Sequence, residues 1–244
     1  MIDAPPLGRV FTIARRPLLG DCAPSGRVRL DAIARWLQDV AFCDVEDAGV
    51  ERAAVWVLRR TRIRVVRFPH FAERCEVRTF CSGIGRMWAE RRTTVAPAGG
   101  GEPLVEALAL WVHLDPTRRL PSPLTEAELA VYAESAGSRR VLARLRHPRP
   151  EHIEAEHRWR FHRTDADLAD HVNNAAYWEP LEDELLGGGE LIEVDAEIEF
   201  RVPAQPGSVR ILQSGSRRWI TDPESDEVYA SIVLTNANTT PASK

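Results

Sequence analysis

One polar loop carries the residues best suited to chemistry. It spans residues 164–174 and contains three carboxylates, of which Asp165 and Asp167 are the candidates, together with one imidazole, His171. An amphipathic segment, residues 175–186, follows it at once. A loop of this kind can gather a carboxylate, an imidazole and free backbone N–H groups around one reacting carbonyl.

The same frame occurs earlier in the chain in a weakened form, over residues 20–27. Asp165 and Asp21 are 144 positions apart, and so are Leu181 and Leu37 in the helical segments that follow. Loop and helix therefore align without a gap, and this predicts a duplication. The first copy carries Ala23 and Arg27 where the second carries Asp167 and His171, so we expect only the second copy to have kept its chemistry.

The elements that position the loop follow from hydrophobic periodicity. Residues 30–45 show apolar side chains at three- and four-residue steps, which predicts a helix, and residues 174–186 predict its counterpart. Alternating segments predict four strands after each helix and one strand before it. One long helix against an antiparallel sheet in each half is an α+β arrangement. We expect an N-terminal domain over 1–120, a connector over 121–156 and a C-terminal domain over 157–238.

Composition excludes several classes of protein. The chain has 244 residues, 44% of them hydrophobic and 28% charged, which is typical of a soluble globular protein. Its net charge of −4 argues against nucleic acid as a partner. No apolar run approaches the ~18 residues of a membrane span, and no signal peptide is evident. The four cysteines match no zinc pattern, so we expect reduced thiols, a cytoplasmic location, no metal and no cofactor.

Several segments together resemble one known family, the acyl-acyl-carrier-protein thioesterases of plants and bacteria. In the second half the resemblance lies in Asp165, Asp167 and the tetrapeptide from His171 to Asn174. In the first half it lies in Trp56-Val57-Leu58, Arg67-Phe68-Pro69, Thr79-Phe80-Cys81-Ser82-Gly83, Trp111-Val112 and Thr117-Arg118-Arg119-Leu120.

The resemblance implies two tandem hotdog domains, each a long helix wrapped by a curved antiparallel β-sheet. It also implies a hydrolase of lipid metabolism and fatty acid biosynthesis that cleaves fatty acyl chains from acyl carrier protein. The family motif reads Asp-x-Asn-x-His, and its aspartate and histidine fall on Asp167 and His171. Its asparagine falls on Ala169, and a glutamate-cysteine pair of the family falls on Pro203 and Ala204.

Thioester hydrolysis needs an attacking oxygen and donors for the developing oxyanion. Asp167 is the candidate for the first role, either as a general base on water or as the nucleophile itself. Backbone N–H groups around Asn173 and Asn174 are the candidates for the second, because a helix start leaves donors unsatisfied. His171 is expected to orient Asp167 or to donate to the leaving sulfur. Glu179 is a second candidate for the base.

Other assignments keep two readings. The stripe Ile33, Trp36, Leu37 and Val40 either lines the acyl pocket of the first copy or forms ordinary core. Five connector arginines either steer an acidic carrier protein or form a solvated face; they are Arg139, Arg140, Arg144, Arg146 and Arg149. The alternative functions are an acyl-CoA thioesterase and a non-catalytic acyl-binding protein. A tandem chain already contains the two domains that single-domain relatives bring together by dimerising. The sequence is therefore compatible with either a monomer or a homodimer.

Overall fold

The computed structural model of the protein describes residues 2–51 and 55–240. Each half contributes one helix and five strands, and a third helix lies between the halves. The helices are α1 (Leu30–Asp47), α2 (Glu126–Ala136) and α3 (Glu179–Leu186). The strands are β1 (Phe11–Arg15), β2 (Val55–Val65), β3 (Cys75–Ile84), β4 (Trp88–Pro97), β5 (Val105–Leu114), β6 (Ala155–Phe161), β7 (Glu190–Phe200), β8 (Gly207–Ser214), β9 (Arg217–Thr221) and β10 (Val228–Thr240). Within these ranges no helix is both long and apolar enough to cross a bilayer.

All ten strands form one antiparallel sheet, in the order β1-β3-β4-β5-β2-β7-β10-β9-β8-β6. The order is symmetric about the junction of β2 and β7, since β5, β4, β3 and β1 follow β2 as β10, β9, β8 and β6 follow β7. Across this junction Arg62 pairs with both carboxylate oxygens of Asp195, at 2.8 and 2.7 Å. The two copies expected from the 144-residue offset therefore share a continuous sheet.

The main core lies between the helices and one face of this sheet. Helix α1 buries Ile33, Leu37 and Val40, and the central strands present Ile63 and Ile198 with no exposed surface. Burying each such side chain contributes about 1.5–3 kcal/mol. The core is thus built on the three- and four-residue periodicity of the helix and the two-residue periodicity of the strands, as predicted.

The helix of the second copy, α3, is shorter than the sequence predicts. Residues 176–178 form a 3₁₀ turn, and the α-helix begins only at Glu179. Pro180 lies in the first turn of α3, where its missing N–H leaves no helical hydrogen bond unmade; one turn further in, it would break the helix. Helix α3 therefore has 8 residues against 18 in α1; at the 144-residue offset it aligns with residues 35–42, so both ends of α1 lack an α-helical counterpart in the second copy.

The connector crosses the opposite face of the sheet. Glu199 is fully buried there, because its carboxylate accepts hydrogen bonds from the backbone N–H groups of Arg146 and His147 at 2.6 and 3.0 Å. Further along, the Trp219 indole donates to the carbonyl of Pro148 at 2.9 Å. These contacts fasten the connector to the second half of the sheet.

Candidate active site

The polar loop of the second copy is closed at its base by Asp165. Its side chain accepts a hydrogen bond from the His162 N–H at 2.6 Å, and its carbonyl accepts one from the Asn173 N–H at 2.8 Å. The next residue pairs across the loop with Val172, whose N–H donates to the Ala204 carbonyl at 3.0 Å. The loop therefore holds a fixed shape, with Asp167 at its exposed tip.

Two donors orient the Asp167 carboxylate. The backbone N–H of Ala169 donates to Oδ1 at 2.8 Å, and the side-chain amide of Asn173 donates to Oδ2 at 3.0 Å. Ala169, at the position where the family motif has asparagine, thus binds Asp167 through its backbone N–H. Asn173 supplies the side-chain amide.

Asn173 also joins this loop to the first copy. Its Nδ2 donates to Oε1 of Gln38 on α1, and Nε2 of Gln38 donates back to its Oδ1, both at 3.2 Å. The same Oδ1 accepts the Ala175 N–H at 2.8 Å. The sequence predicts that Asn173 contributes to binding the oxyanion or the substrate; in the structure its side chain also bridges the Asp167 carboxylate of the second copy to helix α1 of the first.

His171 and Asn174 flank this bridge. The His171 carbonyl accepts the Asp167 N–H at 3.0 Å. Over residues 2–51 and 55–240, no hydrogen bond joins its ring to Asp167, so Asn173 takes the orienting role expected of the histidine. Asn174 is half-buried and borders a small cavity together with Gln38 and Leu37.

A large apolar cavity begins at Gln38. Its volume is about 550 Å³, and one wall is the α1 stripe Gln38, Ala41, Phe42 and Val45, spaced by three and four residues. Leu168, next to Asp167, borders the opening with its side chain fully exposed. The remaining lining comes from the first half and from the connector: Glu51, Val55, Trp56, Cys81, Ala89, Glu90, Arg91, Trp111, Leu124 and Tyr132. The loop of the second copy thus lies at the entrance of a pocket built by the first copy and the connector.

The residues predicted to line an acyl pocket lie on a neighbouring face of the same helix. Ile33, Trp36, Leu37 and Val40 are at most 5% exposed and pack in the main core, and Leu37 alone of the four borders the small cavity. Helix α1 is apolar on two adjacent faces, and its sequence does not reveal which of them meets the sheet tightly. The structure places the pocket along the other face.

Glu179 begins α3 and is half-buried outside the large cavity. Burial, together with the nearby charges of Asp31 and Asp165, raises the pKa of its carboxyl to about 7. This carboxyl changes its charge near neutral pH, which makes it a second candidate base.

The Glu179→Gln variant should gain stability relative to wild type as the pH rises. A carboxyl whose pKa is higher in the folded state stabilises the fold below its unfolded pKa and loses that contribution as pH rises through about 7. We therefore expect the Tm difference between variant and wild type to shift in favour of the variant between pH 5 and pH 8. Asp183→Asn, an exposed change on the same helix, is the control; a pH-independent difference for Glu179→Gln would contradict the assignment.

The equivalent site of the first copy is filled by a buried ion network. Arg27, at the position of His171, is 1% exposed and pairs with Glu182 at 2.9 Å and with Glu190. Glu182 occupies the position of Gln38, and its Oε2 accepts the Leu30 N–H at 2.5 Å. Burial raises the pKa of Glu182 although Arg27 opposes this. Charged side chains therefore occupy the space that the second copy leaves open.

One further group, outside both loops, brings three potential metal ligands together. His147, Glu197 and Glu199 have ligand atoms within 4.8 Å of one another. Each is already engaged: His147 Nδ1 lies 3.1 Å from the Ser231 hydroxyl, Glu197 lies 3.7 Å from Arg60, and Glu199 accepts the connector N–H groups. These contacts account for the cluster as a fastening point of the connector.

Known proteins match this chain over most of its length. Residues 17–132 match the model of the acyl-ACP thioesterase N-terminal domain. An uncharacterized protein of Mycobacterium tuberculosis is 26% identical over 209 residues, which cover 85% of this chain and 83% of that protein. The chloroplastic oleoyl-acyl carrier protein thioesterase 2 of Arabidopsis thaliana is 25% identical over 240 residues, covering 86% of this chain and 62% of the plant protein.

The fold is that of solved thioesterases. The crystal structure of an acyl-ACP thioesterase from Bacteroides thetaiotaomicron superposes with a TM-score of 0.74 at 18% identity, covering 92% of this chain and 96% of that one. This agreement over both halves confirms the predicted tandem hotdog architecture.

Proposed function

We propose that the chain, which resembles the acyl-acyl-carrier-protein thioesterases in sequence over residues 17–132 and in its fold, hydrolyses fatty acyl-acyl carrier protein to free fatty acid and carrier protein. One observation carries the proposal. An apolar cavity of about 550 Å³ ends at Gln38, and the amide of Gln38 is joined through Asn173 to the exposed carboxylate of Asp167. An acyl chain in the cavity would therefore present its thioester at this carboxylate.

The attacking group is Asp167. As a general base it would take a proton from a water molecule whose oxygen then bonds to the carbonyl carbon. As a nucleophile it would form a mixed anhydride that water cleaves in a second step. In both routes the carbon–sulfur bond breaks and the sulfur leaves as a thiolate, which accepts a proton afterwards. Because a thiolate leaves readily, the absence of a hydrogen bond to the His171 ring in the described residues does not hinder the step.

The oxyanion donor is the backbone N–H of Asn174. Within the described residues this N–H donates to no protein acceptor. Its counterpart in the first copy, the Leu30 N–H, donates to a carboxylate oxygen of Glu182. The degenerate copy thus places a negatively charged oxygen where the intact copy would bind the oxyanion. One such donor lowers a barrier by roughly 3–4 kcal/mol.

A non-catalytic acyl-binding protein is the second candidate, and the departures from the family motif favour it. Ala169 and Ala204 offer the site only backbone groups, and Ala204 is fully buried against Tyr177, whose hydroxyl accepts its N–H at 3.0 Å. Asn173 and Gln38 supply side-chain amides to the site in place of the polar side chains that the family motif has at these positions. This compensation supports hydrolysis over binding alone.

The carrier-linked substrate should be hydrolysed faster than the CoA-linked one. The exposed connector arginines provide a basic surface for an acidic carrier; they are Arg139, Arg140, Arg144, Arg146 and Arg149. Electrostatic steering raises association rates about 10–10³-fold and weakens as salt rises. We expect kcat/KM for the carrier thioester to exceed that of acyl-CoA by at least about tenfold at low ionic strength.

The measurement is thiol release from three thioesters of the same acyl group, carried on acyl carrier protein, on CoA and on N-acetylcysteamine. The last is neutral, so its rate should not change with salt and serves as the control. Faster turnover of the CoA thioester would identify an acyl-CoA thioesterase instead. An acyl thioester that binds and persists uncleaved would identify the acyl-binding protein.

A further inference from the structure

The large cavity has two different ends. Gln38 and Leu168 lie at the end that meets the catalytic loop. Val45 marks the other end, where it packs in a separate cluster with Cys81 and Tyr132. Gln38 and Val45 are seven positions apart on α1, which corresponds to about 10 Å along the helix axis.

Tyr132 forms the wall at the far end. It lies on α2, which packs against β3, and its side chain is only 5% exposed. Its hydroxyl makes no well-formed hydrogen bond to any described residue, although the Arg91 guanidinium lies near it. The ring therefore blocks the cavity by its volume, and the position of α2 keeps it there.

Charged groups reinforce this wall. The Arg91 guanidinium lies 5.6 Å from the centre of the Tyr132 ring and pairs with Asp44 at 2.6 Å. Asp44 is 1% exposed and also pairs with Arg9 at 2.6 Å. An acyl chain that pushed into this pair would leave buried charges without partners, which is strongly unfavourable. The pocket cannot lengthen in this direction without losing the pair.

We propose that Tyr132 is the residue that ends the acyl pocket and sets the upper length of the acyl chain. An extended chain advances about 1.2 Å per bond, so about eight or nine bonds span the ~10 Å between Gln38 and Val45. The substrate class is therefore acyl groups of medium length, and longer chains must bend to enter. This proposal rests on the proposed function, because it assumes that the thioester lies at the catalytic loop.

The test compares kcat/KM for octanoyl, decanoyl, tetradecanoyl and hexadecanoyl thioesters in wild type, Tyr132→Ala and Tyr132→Phe. Wild type should favour the two shorter chains. Tyr132→Ala should raise the hexadecanoyl-to-octanoyl ratio at least about tenfold, since accommodating a methylene group commonly changes specificity by that factor or more. Tyr132→Phe keeps the ring and should keep the wild-type profile. A wild-type preference for hexadecanoyl, or an unchanged ratio in Tyr132→Ala, overturns the proposal.

Ala89→Leu tests the same wall in the opposite direction, should Tyr132→Ala fail to fold. Ala89 lines the far end from β4, so a larger side chain should lower activity on decanoyl relative to octanoyl thioesters; an unchanged ratio counts against the proposal. If wild type cleaves no thioester, the proposed function fails by itself. Binding of the free fatty acids, followed by fluorescence of Trp56 and Trp111 in the cavity wall, then measures the length limit without catalysis.

Discussion

Replacing Asp167 with asparagine should lower kcat by about 10²–10⁴-fold, the usual contribution of a positioned general base. The variant keeps the size of the side chain but removes the negative charge that takes a proton from water or attacks the thioester. It also places an amide group opposite the donors that now come from Ala169 and Asn173. The chemical step should therefore suffer most, while acyl binding in the cavity persists.

Thiol release at saturating substrate measures the effect, and thermal unfolding tests whether the fold is intact. Asp167 is exposed, so we expect the unfolding free energy to change by less than about 1 kcal/mol. Asp170→Asn is the matched control. It lies in the same loop, removes the same charge, and has a φ of 60°, a conformation that asparagine tolerates well. Its turnover should stay close to that of wild type.

Normal turnover in Asp167→Asn would move the role of base to another carboxyl. Glu179 is then the residue to change, because the pKa of its carboxyl is raised to about 7 by burial. Loss of activity in Glu179→Gln with an unaffected Asp167→Asn would establish a helix carboxylate as the base. Loss in both variants would require that the two carboxyls act together.

The elements of the site could be predicted because they follow from local patterns. The periodicity of Ile33, Leu37 and Val40 predicts α1, and the loop with Asp167 stands out by its polar composition. The 144-residue offset aligns the two copies and identifies Ala23 as the position where the first lacks its carboxylate. These signals are contained within short stretches of chain.

The side-chain contacts between the two copies could not be predicted from such local patterns. Gln38 lies on a predicted helix, yet its contact with Asn173 joins residues 135 positions apart. The pocket follows the adjacent stripe from Gln38 to Val45, and periodicity alone does not tell a face that packs tightly from one that borders a void. One signal was available: the position of Gln38 is polar in both copies, since it aligns with Glu182.

The two copies have diverged toward different tasks on one framework. In the second, Gln38 reaches the loop and leaves the Asn174 N–H free of protein acceptors in the described residues. In the first, Glu182 reaches the equivalent loop and occupies the Leu30 N–H while pairing with Arg27. The exchange of amide for carboxylate on the facing helix, together with Arg27 at the position of His171, therefore distinguishes the closed site from the open one. The closed site then serves to hold the halves together.

Arg27→Met should therefore destabilise the protein by about 3–5 kcal/mol, because removing one partner of a buried ion pair leaves the other uncompensated. Glu182 would keep the Leu30 N–H but lose the only cation that lies within 4 Å of it among the described residues. Arg27 also packs 4.7 Å from the centre of the Phe68 ring, and a methionine retains part of that contact. Denaturant unfolding at pH 8 measures the loss. Arg15→Met, which breaks the exposed pair with Asp39, should cost at most about 1 kcal/mol.

The pH dependence of unfolding and a double variant tell whether the stability loss of Arg27→Met comes from the buried charge or from packing. The pKa of Glu182 is already raised by burial, and losing Arg27 raises it further. A raised carboxyl pKa means that stability is retained at low pH and lost as pH rises through the folded value, so the deficit of Arg27→Met should shrink toward pH 5. Arg27→Met combined with Glu182→Leu removes both charges and should recover most of the stability at every pH. A deficit that is equal at both pH values and persists in the double variant would mean that packing, and not the buried charge, closes the first site.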